Sequence, residues 1–184
     1  MPQFVVLLRG VNVGKGNRVP MAAFRTLLEA QGCTDVRTVL NSGNAVFRSA
    51  ARSAPGLAKA IGIRLRDSLD VDVLVVVKSA SEFTAVVAEN PFALPDAEHV
   101  RFLVAFAQAE GASQGLSVLL PMLEPPERLH IGRQAAYLHC AGGILESKAG
   151  AALLGKTGRG ITTRNWATVM KLGALLNDGR PAKA

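Results

Sequence analysis

The tetrapeptide Asn41-Ser42-Gly43-Asn44 constrains the fold of this chain more than any other feature. It joins two short strand-like runs, Val36–Leu40 and Ala45–Phe47. Asn- and Gly-rich joins of this kind close β-hairpins because they accept the backbone conformations a tight turn demands. A helical period stands on either side of the hairpin. Upstream, Met21, Phe24, Leu27 and Leu28 recur at helical spacing behind Pro20 and ahead of a stop at Gly32. Downstream, Leu57, Ile61, Leu65 and Leu69 step by four and mark a helix from about Pro55. An apolar run, Gln3–Leu8, precedes the set, and a β-branched run, Val71–Val77, follows it as a central strand. The order βαββαβ is that of the ferredoxin-like split βαβ unit.

The second half repeats this order in outline. A helix through Phe83, Val86 and Val87 ends before Asn90-Pro91, because the residue before proline avoids the helical region. Pro91–Glu98 reads as a linker. A strand over Val100–Ala107 comes next, then a helix around Leu116–Met122. A second hairpin, Arg128–Ile131 with Ala135–Cys140, turns at Gly132-Arg133. A short helix over Lys148–Leu154, a short strand at Ile161-Thr162-Thr163 and a helix over Asn165–Leu176 complete the chain. The halves share element order and no residue-level repeat. The expected fold is α+β, two ferredoxin-like subdomains with an extra C-terminal helix. The expected boundaries are 1–78 and 99–184, with a connecting helix and linker at 79–98.

Composition narrows the class. With 49% hydrophobic and 19% charged residues the chain can bury a core and is not disordered. No apolar run approaches the ~20 residues of a membrane span, so no membrane partner is expected. Met1-Pro2-Gln3-Phe4 has no basic leader, and Cys33 and Cys140 read as free thiols, so the cytoplasm is the expected location. The formal charge of +7 is uneven. Residues 1–66 hold ten Lys/Arg and two Asp/Glu, residues 67–127 two and ten, and residues 128–184 nine and two. Basic ends around an acidic middle fit an anionic partner, or simple solubility.

Three segments combine conformationally demanding residues with polar groups. The first, Arg9–Arg18, leaves a strand and enters a helix. Its glycines allow successive N–H groups to converge on an anion, and Arg9, Lys15 and Arg18 add charge. The competing reading is an ordinary flexible connection with solvated cations. The second is the hairpin turn with Ser42 and Asn44. The third is Thr162-Thr163-Arg164-Asn165-Trp166, where Thr163 suits a helix N-cap and Trp166 a core anchor, while Arg164 and Asn165 project polar groups. The candidate ligand-binding residues are therefore Arg9, Asn12, Gly14, Lys15, Arg18, Ser42, Asn44, Arg164 and Asn165. The three segments are expected to meet in one polar, positively charged cleft, with the Arg9–Arg18 loop beside Ser42-Gly43-Asn44 and close to Arg164-Asn165, although in a split βαβ unit the first loop and the hairpin turn tend toward opposite ends of the sheet. One shared cleft would then need the loop to fold back or the second domain to bridge the gap.

Other patterns carry less. Gly150–Thr157 matches the P-loop spacing, but no strand ends at its first glycine, and Gly158 and Gly160 would break the helix that must follow. No nucleoside triphosphate is expected there. His99, His130 and His139 have no ligand spacing, so no metal site is expected, and no cofactor either. His139 and its neighbour Cys140 should face opposite sides of a strand. No serine stands in a nucleophile-elbow context and no catalytic residue is identified, so whether a reaction occurs is left open.

The motifs Leu7–Gly14, Asn41–Phe47, Asn90-Pro91-Phe92, Ser147-Lys148 and Thr162–Val169 occur together and in order. By them the chain resembles, nearly end to end, the bacterial domain-of-unknown-function family 1697. That resemblance implies two ferredoxin-like subdomains and no established activity. Asn41 stands where the family more often has Gln, and Lys15 interrupts what is usually a Gly-Gly-Lys run. The leading expectation is a small anionic or phosphorylated ligand on the glycine-rich basic loop. The alternatives are a nucleic-acid-binding module, which the basic composition favours and the scarcity of aromatic residues weakens, and an interaction or structural protein without catalysis. The oligomeric state is not fixed by these patterns.

Overall fold

The computed structural model describes residues 1–14 and 16–178. The chain divides into two compact units, Met1–Thr84 with Lys171–Ala184, and Ala85–Met170.

In the first unit β1 (Gln3–Leu8), α1 (Met21–Ala30), β2 (Thr34–Val39), β3 (Asn44–Arg48), α2 (Ala54–Leu69) and β4 (Val75–Ser79) follow one another. The sheet is four-stranded and antiparallel, ordered β2-β3-β1-β4, as in a ferredoxin-like unit. Alternation along the strands puts Phe4, Val6, Leu8, Ala45, Phe47, Val75 and Val77 on one face. There they pack against Phe24 and Leu28 of α1 and Ile61 and Leu65 of α2. Each of these side chains other than Ala45 stabilises the unit by about 2 kcal/mol on burial. α2 begins where the Ser53 hydroxyl accepts the Gly56 N–H at 3.1 Å. It ends on Asp70 at φ 52°, whose N–H and that of Val71 bond back to Arg66 and Leu65 carbonyls.

That left-handed cap corrects the strand expected over Val71–Val77. Residues 71–74 carry the chain out of the cap, and pairing with β1 starts at Val75. On the opposite sheet face, Arg37 donates to the Leu175 carbonyl at 2.8 Å. This fastens the C-terminal part of the last helix to the first unit.

The helix α3 (Ala80–Glu89) leads into the second unit. After a 3-10 helix, Asp96–Arg101, come β5 (Phe102–Ala107), a second 3-10 helix (Ala112–Met122), β6 (Arg128–Ile131) and β7 (Ala136–His139). Then α4 (Lys148–Leu154), β8 (Ile161–Asn165) and α5 (Trp166–Asp178) follow. This sheet is also antiparallel and four-stranded, ordered β6-β7-β5-β8, the same arrangement as the first. Where the sequence predicts a helix around Leu116–Met122, the chain is 3-10 throughout. Gly115 and Pro121 lie inside that segment, and both disfavour an α-helical interior.

One face of this sheet, with Leu103, Ala105 and Leu138, packs on Leu116, Leu119 and Leu153. The other face holds Phe102, which meets Trp166 at 5.4 Å and Phe92 at 5.7 Å between ring centroids. Phe92 is thus part of the packing of this unit.

Candidate functional site

β1 and β3 are antiparallel, with Leu7 opposite Asn44. The C-terminal end of β1 therefore meets the N-terminal end of β3, and the β1–α1 loop and the β2–β3 turn lie at the same end of the sheet. The loop therefore lies beside the turn, as expected, and it does so without folding back, because the two share one end of the sheet. α1 carries the chain back across the sheet, so β2 runs in the same direction as β1 and its turn into β3 closes at the same end.

Asn12 joins the two segments. Its amide nitrogen donates to the Asn41 carbonyl at 2.7 Å and to the Val19 carbonyl at 2.8 Å, and its oxygen accepts the Val19 N–H at 2.9 Å. The amide group is thereby engaged, so Asn12 holds the loop closed and against the turn. Its backbone is left-handed at φ 56°, between Gly10 at 63° and Gly14 at 57°. Left-handed conformations suit glycine and asparagine, which is why these residues alternate here. Within the loop the Asn12 N–H bonds to the Asn17 carbonyl, and Arg18 donates to the Gly14 carbonyl at 3.1 Å. Val11 is buried, so the loop is anchored in the core at its centre. Lys15 lies outside the described residues.

The turn is shaped to the loop. Gly43 has φ 69°, and its carbonyl accepts the Leu8 N–H at 2.8 Å. A Cβ there would stand 2.6 Å from the Leu8 Cβ and 2.7 Å from Val11 Cγ2, so only glycine fits. Asn44 is fully buried and donates to the Val39 carbonyl at 2.9 Å, while Ser42 is exposed.

Arg164 and Asn165 belong to the second unit. Arg164 is buried in β8, donating to Thr162 Oγ1 at 2.9 Å and to the Thr163 carbonyl. Burial pulls its pKa down to about 10, so the guanidinium remains charged at neutral pH. The N-cap of α5 is Asn165, whose side-chain oxygen accepts the Thr168 N–H at 3.0 Å and hydroxyl at 2.8 Å. This corrects the N-cap assigned to Thr163. β8 runs two residues further than expected and pairs Thr163 with Ala105, which moves the helix start on to Trp166.

The second unit holds two polar clusters that sequence reasoning missed. The Glu89 carboxylate accepts the N–H groups of Arg133, Gln134 and Ala135 at 2.7, 2.9 and 3.4 Å, and the Tyr137 hydroxyl at 3.2 Å. Burial opposes its ionisation, but these four hydrogen bonds outweigh burial and hold its pKa below the ordinary value. A Cβ on Gly132 would collide with the same carboxylate. Tyr137 itself is pushed up, first by burial and then by Glu89. Nothing in the sequence links Glu89 to a turn so far along the chain. In the other cluster, His139 Nε2 meets Glu98 Oε2 at 3.0 Å, while Cys140 lies in the core on the opposite face.

The P-loop spacing at Gly150–Thr157 has no phosphate cradle. Ser147 caps α4 through the Gly150 N–H at 2.9 Å, so Gly150 sits inside the helix and Gly155-Lys156-Thr157 follow its C-terminus. A helix C-terminus presents carbonyls, which repel anions. Among the described residues no group of His, Cys, Asp and Glu is placed to hold a metal ion, and no helix is long and apolar enough to cross a membrane.

Comparison with known proteins adds a family and a fold. The profile of a family described as "Protein of unknown function (DUF1697)" matches residues 1–137. The solved structure of the conserved bacterial protein SP0830 from Streptococcus pneumoniae superposes with a TM-score of 0.75 at 24% identity. The match covers 95% of this chain and 98% of that one, and at this identity it speaks for the fold alone. No curated protein matches this chain in sequence.

Proposed function

We propose that this chain, which belongs to the DUF1697 family of proteins of unknown function, binds a small phosphate-bearing anion on its β1–α1 loop. One observation carries the reading. Left-handed residues alternate through Gly10, Asn12 and Gly14 in a loop that Asn12 fastens to the neighbouring turn. A chain that alternates in this way turns successive N–H groups toward one side; the Asn12 N–H is taken by the Asn17 carbonyl, and those of its neighbours Val11, Val13 and Gly14 can face an anion. Fastening removes the ordering cost that a flexible loop would bear on binding. The start of α1 adds a partial positive charge, and Arg9, Lys15 and Arg18 add full ones.

In this reading Gly10 and Gly14 supply backbone, Arg9, Lys15, Arg18 and Ser42 contact the ligand, and Asn12 and Asn44 position the two segments. Arg164 and Asn165 serve the second unit. The setting is the reducing cytoplasm, in keeping with two buried free thiols, Cys33 and Cys140.

Calorimetric titration of the full chain with pyrophosphate, repeated on Arg18→Ala and at two salt concentrations, tests this. The expected result is saturable binding that Arg18→Ala weakens about fivefold and that salt changes little. Absence of heat with pyrophosphate, alongside steeply salt-dependent binding of an RNA or DNA oligonucleotide, would replace it with the nucleic-acid reading.

A further inference from the structure

The first unit has a second concavity, at the end of its sheet away from the Asn12 loop. It lies where the C-terminal end of α1, the segment after β3 and the exposed side of α2 come together, and it measures about 580 Å³. Volumes of this order hold small organic ligands. Its walls are apolar, with Ala51, Leu57, Ala60 and Ile63, and its polar groups are few, chiefly Gln31 and Arg64. The groove exists because its walls carry small residues. Gly32 opens on free space, and Ala60 stands on the outer surface of α2 between Leu57 and Arg64. Gln31, just past the end of α1, reaches to α2 and donates to the Ala60 carbonyl at 3.4 Å.

The charge pattern selects an occupant. Ile63 is 44% exposed at the groove, so an apolar surface there is left to water. Arg48 pairs with Asp35 at 2.9 Å and Arg66 with Asp72 at 2.7 Å, whereas Arg18, Arg25, Arg37 and Arg52 of this unit are, like Arg64, without a carboxylate partner among the described residues; what sets Arg64 apart is that it is the one charged residue lining the groove. Arg64 has no carboxylate partner among the described residues. A largely apolar trough with a single cation, Arg64, in its lining matches a molecule with a hydrocarbon body and one carboxylate. The body would cover the wall formed by Ile63, Ala60 and Ala51, and the carboxylate would accept two parallel N–H bonds from Arg64.

We infer that the groove between α1 and α2 is a binding site for a small carboxylic acid with an apolar body of medium-chain length, separate from the phosphate-binding loop.

The probe is sodium octanoate, titrated into the isotopically labelled full chain and followed by amide shifts, with octan-1-ol as its uncharged counterpart. Octanoate is expected to move the amides of Gly32, Ala51 and Ala60. Arg64→Gln should weaken octanoate about fivefold and leave octan-1-ol unchanged. Ala60→Phe, at an exposed position that a larger side chain occupies without disturbing the core, should abolish both responses. Shifts that survive Ala60→Phe, no shifts at all, or equal binding of the alcohol and the acid would each overturn the inference. Saturating pyrophosphate should leave the octanoate response intact, so that failure at one site is read independently of the other.

Discussion

The two sheets have the same strand order, and in both the turn of the central hairpin is held by a polar side chain, but the two holding groups differ in charge. In the first unit the neutral amide of Asn12 ties the β2–β3 turn, and Arg9, Lys15 and Arg18 lie in the same loop. In the second, the carboxylate of Glu89 ties the β6–β7 turn, and Glu110 pairs with Arg133. The connection after the first strand is long and glycine-rich in one unit. In the other it is short and passes at Gly111 straight into a 3-10 helix. Formal charge follows the same division. Of the 21 Lys/Arg and 14 Asp/Glu, the first unit has fourteen and seven, and the second seven and seven. The charges of the second unit thus balance, while the first carries an excess of cations.

Substitutions at four positions sharpen or break that contrast. Gly43→Ala should have the largest effect, about 3 kcal/mol of lost stability, because the new Cβ meets Leu8 and the residue is left-handed. Faster amide exchange along β1 and β3 would register it.

Glu89→Ala should cost about 2 kcal/mol by leaving the N–H groups of the turn without their acceptor. Because the folded-state pKa of Glu89 is depressed, its contribution is complete above the ordinary value of 4.5 and is lost as pH falls through the folded value. Urea unfolding of the wild type followed by Trp166 fluorescence should therefore weaken on acidification, and Glu89→Gln should weaken less. An identical acid limb in both proteins would remove Glu89 from the account.

Asn12→Ala should cost about 1.5 kcal/mol through its lost hydrogen bonds. It should lower pyrophosphate affinity as well, since it acts on the order of the loop. An unchanged affinity would mean that the fastening does not prepare a site. Lys156→Ala, in the P-loop-like segment of the second unit, should have the smallest effect, with pyrophosphate affinity within about threefold of wild type.

The architecture was legible because local signals agreed with one another. The Asn-Ser-Gly-Asn turn, the four-residue steps of α2 and the β-branched runs all describe the same unit. Boundaries failed where a single residue adopts a conformation its type does not announce. Asp70, rather than a glycine, takes the left-handed cap, and that delays β4 to Val75. The start of α5 failed for a related reason, since both Thr163 and Asn165 are good caps and only the sheet pairing decides between them. The candidate loop was visible as glycines and cations. The role of Asn12 was not, because its partner Asn41 is distant in sequence and becomes a neighbour only once α1 has returned the chain. The Glu89 clamp was invisible for the same reason, since its acceptor and the first of its donors stand 44 residues apart.

The central claim is that the two equivalent ends of these sheets differ in what they can bind. The most direct measurement is an amide-shift titration of the labelled full chain with pyrophosphate at constant ionic strength. The account predicts saturable shifts at Gly10, Gly14, Arg18 and Ser42, with Gly132, Arg133 and Lys156 unmoved. Shifts at the second unit's turn or at Gly155–Thr157, or shifts that grow without saturation across the whole basic surface, would contradict it.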